Sequence, residues 1–414
     1  MNKNLKIKNI IFISLSYFIS CTLSAAFIYG LLFYNDSKLS GSTLEWSIIR
    51  SSFLLPGALV NIFSGIIADK YSKKKVMFLS EFANGIMIIA FYQIFLNIEH
   101  DLWFFVLMGF LSSFIYSFFE IALDASIISL AGEKLGEKLI SIIWFLRAFA
   151  WIIGPPLGGY LYELNLLNHL FIFNAISFIL SAFFILLLQF ESSNEPQASN
   201  SSSFKKELRD LFNHIGRTPI IGFFLMLNLS FAFFYLPIYD VVIPNMANSL
   251  SFSNSHIAYI ESAAWLGVAL GAVIVSLSPS PMFYLRNLFT ILKIESLFIF
   301  LWLFPIFYGG FSIERQFQIY VVLAIIDGAL NSCQNLGAMT YFQLKVSKDL
   351  RGKILGTIKT VIRLSAPLGT LMVGFLLSHF LSWNIAILIS ATAMVIVVFY
   401  MERRRVFREF IESI

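Results

Sequence analysis

Ionised side chains inside long apolar runs are the residues whose types and spacing offer chemistry here: proton carriage, ion pairing or capture of a charged solute. At bilayer depth each costs at least a few kcal/mol, so each is a functional candidate unless it can snorkel to the interface. Glu120 and Asp124 lie four apart and share a helix face. By helical rise Glu120 lies roughly 6 Å past the midpoint of its run, toward the cytoplasm. Arg147, on the following run, has similar depth. Arg147 is expected to pair with this couple, where like-charge crowding and burial favour one carboxyl as a proton carrier. A static structural ion pair is the competing reading.

In the second half Asp327, Asn331, Gln334 and Asn335 follow a helical stripe near mid-membrane, which is hard to place against lipid and is expected to line a central cavity. Arg363 and, one turn below, Lys359 share a face and offer cations to an anionic substrate or to Asp327; Lys359 has snorkelling as its alternative. Asp240 stands between Pro237 and Pro244, where interrupted helices line transport sites, and an outer-gate role competes with simple exposure. Glu261 lies roughly 7 Å to the outer side of its run's midpoint and joins the cavity candidates, whereas Arg50, Glu81 and Lys293 lie closer to interfaces. All five histidines fall in loops or at span ends, so proton work is left to carboxylates. Cys21 and Cys333 sit in apolar runs with no metal-ligand spacing near them, so neither a disulfide nor a metal site is implied. No G-x-x-x-x-G-K-[ST] loop is present, so no cofactor is expected and a proton gradient is the energy source.

The elements that must position these residues follow from composition. Of 414 residues 58% are hydrophobic and 13% charged, about half the charged share of a soluble domain. Apolar runs near 7–33, 46–68, 76–97, 102–130, 139–162 and 167–190, then 219–243, 255–277, 287–309, 317–343, 354–379 and 384–401, read as twelve membrane-spanning helices. The first is too long for a signal-peptide core and reads as a retained span. Lysine and arginine gather on alternate connections, at Lys3, Lys6 and Lys8, at Lys70 and Lys73 to Lys75, and at Lys134 and Lys138, which places both termini in the cytoplasm. Because the excess positive charge lies in these short loops, the net +5 does not point to nucleic acid. The forty-six phenylalanines are read one by one as lipid-facing. The domains are thus an N-terminal six-helix bundle at 1–190, a polar cytoplasmic linker at 191–218 that ends in an amphipathic surface segment, a C-terminal six-helix bundle at 219–401 and a cytoplasmic tail at 402–414. A weak echo between Gly136-Glu-Lys-Leu-Ile and Gly352-Lys-Ile-Leu, and between Pro156-Leu-Gly and Pro367-Leu-Gly, suggests duplication.

After the second run stand Gly65, three residues, Asp69, Lys70 and the cluster Lys73, Lys74 and Lys75. This connection resembles the signature loop of the major facilitator superfamily, with Ser72 where the family has a second glycine. Gly65 permits close helix approach, and Asp69 is suited to the positive end of another helix, so the loop is a candidate gating latch. The corresponding loop from Gly271 lacks the acid and the basic cluster, which makes any such latch one-sided. Gly154, Pro155, Gly158 and Gly159 resemble the antiporter motif of the family's drug exporters, with the upstream glycines replaced by Ala150 and Ser141. The segment is either a pivot or plain packing. The run from Phe173 and Asn174, with Leu350, Arg351, Gly352 and Lys353, resembles the bacterial macrolide-efflux and siderophore-exporter branch.

The resemblance implies an all-α membrane protein of two pseudo-symmetric six-helix bundles that rock about a central site. The function implied is proton-coupled efflux of a drug-like compound or siderophore by a monomer in the bacterial plasma membrane, with protonation of the Glu120/Asp124 couple or of Asp327 biasing the equilibrium and Arg147 and Arg363 as ion-pair candidates. Its partners would be a small-molecule substrate and the lipid bilayer. An uptake symporter on the same scaffold is the nearest rival, and a non-transporting membrane sensor or enzyme a further one.

Overall fold

In hydrocarbon no water can take up a bare backbone N–H or C=O, so an apolar run must satisfy its own hydrogen bonds as a helix. The computed structural model describes residues 3–39, 41–61, 71–97, 101–190, 219–278, 282–308, 310–345 and 348–406, and every regular element among them is helical. Among the described residues ten helices are long and apolar enough to cross a membrane. The expected second span is represented by Thr43–Ser52 and Leu55–Asn61 up to where the description stops, and the eleventh by Lys348–His379. The expected linker at 191–218, the tail beyond 406 and the loop residues Gly65, Asp69 and Lys70 lie outside the described residues.

The chain forms two compact units, Met1–Asn200 and Ser201–Ile414. In the first, span one (Lys3–Lys38) packs against span five (Glu133–Glu163) and span six (Leu167–Leu186). Span three (Lys73–Phe95) packs against span six and span four (Leu102–Ala131). In the second, span seven (Pro219–Phe234 and onward) packs against spans eleven and twelve (Trp383–Glu402), and span eight (Asn254–Leu277) against span ten (Ile313–Lys345). Span nine (Leu288–Phe298, then a 3-10 turn at Ile299–Leu303) meets spans ten and twelve.

Helix ends follow local chemistry. The Asp101 side chain accepts from Phe104 N at 3.2 Å to start span four, and Ser253 and His256 form a reciprocal capping box at the start of span eight. Spans four and five are joined by Gly132 alone, at φ +74°, a left-handed turn that a side chain would strain. The run expected to end at 243 extends further, because span seven passes through a π turn at Ile238–Val242 and resumes as Ile243–Ser249. Pro237 and Pro244 flank that turn; each lacks an N–H and crowds the carbonyl four residues back, which leaves the backbone to regroup around an extra residue.

Lipid tails are as apolar as leucine, so helices associate where small residues let backbones touch. A Cβ on Gly158 would overlap the Ala26 carbonyl of span one, and one on Gly154 would lie 2.5 Å from Ala25 Cβ. In the second unit a Cβ on Gly369 of span eleven would overlap the Phe233 carbonyl of span seven, so the contact between first and fifth spans occurs in both units. Gly267 of span eight and Gly328 of span ten abut each other's backbones in the same way. Gly267→Ala is expected to lower stability by about 2 kcal/mol, the cost of overpacking, read as an earlier melt of purified protein in detergent; unaltered melting would show that this crossing yields easily.

Large apolar side chains cover the outside, among them Phe307, Leu277 and Phe380, as contact with acyl chains requires. The lipid-facing reading of phenylalanine holds only for part of them. Phe33, Phe105, Phe119, Phe171 and Phe224 are buried, and Phe95, Phe104, Phe105 and Phe171 form a ring cluster inside the first unit.

Candidate functional site

The first unit gathers its charge around Arg147. Spans one, four and five bring Tyr17, Glu120 and Arg147 together: the guanidinium donates from Nη2 to Glu120 Oε1 at 2.8 Å and from Nε to Tyr17 Oη at 2.6 Å. It also lies over the Trp144 ring at 5.1 Å. The side chains of Arg147 and Glu120 are 28% and 16% exposed, enough burial that neither charge can be stranded cheaply. Asp124, expected to crowd this carboxylate, is exposed one turn further on. Arg50, expected near an interface, stacks on Trp151 at 5.8 Å.

Glu81, expected closer to an interface by its depth along the run, turns its side chain inward. It is fully buried on span three, its oxygens hold no hydrogen bond of good geometry, and the hydroxyls of Ser20 and Ser181 are the polar groups in reach. Axial depth, which is what sequence gives, says nothing of which way a helix face turns.

Lys74 of the expected gating loop has a definite role in the first unit. Its ammonium donates to Leu186 O at 2.8 Å and to Leu188 O at 2.7 Å, and so caps the carbonyl end of span six, where a cation is favourable. Asn9 of span one completes the clasp, donating to Leu130 O at 3.1 Å and to Gln189 O at 2.7 Å. Lys73 is half-buried beside it. Gly154, Pro155, Gly158 and Gly159 are all buried within one continuous helix, with Gly154 and Gly158 set against span one.

The second unit is organised around Asp327, 1% exposed on span ten. Tyr235 Oη donates to its Oδ2 at 2.8 Å, and Tyr239 Oη donates to the same oxygen. Both phenols come from span seven, one before and one within the π turn. Asn331, one turn along, donates from Nδ2 to Oε1 of Glu295 on span nine at 3.2 Å. Glu295 is fully buried. Trp302 stacks on Tyr320 and meets Tyr239 edge-on, walling the cluster with aromatic rings. The stripe expected to line a cavity is thus split. Asp327, Asn331 and the buried Gln334 belong with the interior of this unit, and Asn335 is exposed with its amide on Asn331. Asp240 is half-buried and accepts from Thr370 of span eleven at 3.4 Å, and Glu261 accepts from Trp265 Nε1 at 3.1 Å. Arg363 is half-buried on span eleven, while the Lys359 side chain lies outside the described residues. Lys293, expected near an interface, is bonded to Glu402 of span twelve at 2.6 Å.

Glu295, Tyr235, Tyr239 and Tyr17 are not singled out by sequence reasoning. Glu295 carried a usable signal, an acid eight residues into an apolar run. The tyrosines carried none, since phenols are common at membrane interfaces. No group of three or more metal-ligating side chains occurs among the described residues, and both cysteines are free.

A family model described as Major Facilitator Superfamily matches residues 13–314. An uncharacterised MFS-type transporter of Bacillus subtilis (strain 168), YfiS, is 30% identical over 181 residues, 42% of either chain, so the chain spans about two fifths of the length of this curated relative. The nucleoside transporter NupG superposes with a TM-score of 0.73 over 98% of this chain and 100% of its own, at 17% identity. A D-xylose–proton symporter superposes with a TM-score of 0.69 over 97% and 98%, at 11% identity. At such identities the likeness is one of fold.

Proposed function

Because this chain belongs to the Major Facilitator Superfamily, we propose that it is a secondary active transporter exporting a small molecule in exchange for protons, by alternating access of two six-helix bundles. The observation that carries the reading is the grip of two span-seven phenols on the buried Asp327. A hydrogen bond to an ionised acceptor contributes about 1.5–3 kcal/mol, roughly twice one to a neutral acceptor. Protonation of Asp327 therefore weakens the tie between spans seven and ten by an amount comparable with the gap between two conformers of a transporter. Export rather than uptake is favoured by the resemblance of Gly154, Pro155, Gly158 and Gly159 of span five to the exporters' motif, with Gly154 and Gly158 packed on span one. Under this reading both termini are cytoplasmic and the membrane is the bacterial plasma membrane. The two units, Met1–Asn200 and Ser201–Ile414, supply the two bundles.

The test uses everted vesicles from cells making the full chain, an acidified lumen reported by a quenched amine dye, and a panel of lipophilic cations and anionic chelators. At least one solute should collapse the gradient in vesicles with the chain and not in those without it. Gradient-dependent accumulation of solute inside whole cells would instead establish uptake and end the export reading.

A further inference from the structure

Two buried acids in the second unit are each half satisfied. Asp327 uses Oδ2 for both phenols and leaves Oδ1 buried without a hydrogen bond. Glu295 uses Oε1 for the Asn331 amide and leaves Oε2 buried in the same condition. Among the described residues no lysine, arginine or histidine forms an ion pair with either acid. The nearest cation on span nine, Lys293, is taken up by Glu402 of span twelve. Span seven contributes only the neutral phenols Tyr235 and Tyr239; span ten adds Cys333 beside Glu295 and Tyr320 behind Trp302; Glu261 of span eight is bonded to Trp265 and lies on the side of Tyr239.

Two ionised carboxylates cannot occupy such a place without a counter-charge, and each bare oxygen forfeits its hydration as well. The two orphans are complementary, however. One proton on Glu295 Oε2 would turn an acceptor without a donor into a donor, and Asp327, whose neighbour one turn along, Asn331, already bonds Glu295, has in Oδ1 an acceptor with no donor of its own. We propose that Glu295 and Asp327 form a two-carboxyl proton site in the second unit, holding one proton between them directly or through a single water, with Asn331, Tyr235 and Tyr239 fixing the outer oxygens. The pair deepens the proton-coupled reading of Asp327 and rests on it for its transport role. Glu295 stores the proton and Asp327 presents the charge to span seven, so the site can pass between one and two protons without ever holding two bare charges.

The test is infrared spectroscopy of purified full-length protein in nanodiscs, in H2O and D2O, following the carboxylic-acid C=O stretch at neutral pH. Relative to wild type, E295Q should lose a single carboxylic-acid oscillator. D327N should retain it at higher frequency, because the acid has lost its charged acceptor. An unchanged acid band in E295Q, or an unmoved one in D327N, overturns the shared site. E295D, which keeps an acid at an altered distance, should shift the band without deleting it, and it decides the matter where E295Q does not purify as a single species; a band at the wild-type position in E295D likewise overturns the pair. Wild-type solute movement indifferent to a proton gradient would instead overturn the coupled-export reading, leaving the spectroscopic result to stand on its own.

Discussion

Asp327→Asn is expected to cut proton-driven transport by reconstituted protein about a hundredfold or more, equivalent to about 2.7 kcal/mol, while the variant melts within a few degrees of wild type. Asparagine keeps an oxygen of the same shape where Oδ2 receives the phenols of Tyr235 and Tyr239, so the packing of spans seven and ten survives. What disappears is the choice of charge state. A residue that is always neutral mimics the protonated conformer permanently, and a ligand or proton that interacts equally with both conformers shifts nothing. The measurement is the initial rate of gradient-driven flux in proteoliposomes across a range of external pH. A rate within a few-fold of wild type, with its pH dependence intact, would remove Asp327 from the coupling mechanism.

A second large effect is expected in the first unit. Arg147→Met should destabilise the protein by about 3 kcal/mol or more, because it leaves the Glu120 carboxylate enclosed without its counter-ion and the Tyr17 hydroxyl without its donor. Replacing both partners, as in Arg147→Met with Glu120→Leu, should recover most of the loss, since a well-packed apolar pair is tolerated where a lone charge is not. Chemical unfolding in mixed micelles measures both variants. Were the single variant as stable as the double, the Arg147–Glu120 bond would be a surface pair of little consequence. A double variant that is stable and still transports would mark this pair as a static structural bond with no part in proton carriage.

The fold was legible because the bilayer imposes coarse rules. Lysines such as Lys73 to Lys75 end runs, prolines mark the broken span seven, and twenty apolar residues make a helix whatever their order. The site was legible only along the membrane normal. Asp327 and the Glu120–Arg147 contact could be reached from depth alone, for an ionised group far from both interfaces must find a partner. Which way a face turns was hidden. Glu81, located by counting only along the run, turns into the bundle, and Asp124, four residues after Glu120, is exposed while Glu120 is half-buried. The tyrosines that hold Asp327 belong to a helix about ninety positions away in sequence, and no periodicity links them to it.

The wound-out turn at Ile238–Val242 contains one more residue than an ordinary helical turn would hold at that point. Deleting a single residue between Tyr235 and Tyr239 would close the backbone toward regular α geometry and leave the two phenols three positions apart instead of four. Tyr235 stands before that turn and Tyr239 within it, so their joint hold on one oxygen depends on the register the turn sets. The turn therefore acts as a phase adjuster, and the chemistry at mid-span depends on an irregularity in chain length more than on the identity of any one side chain.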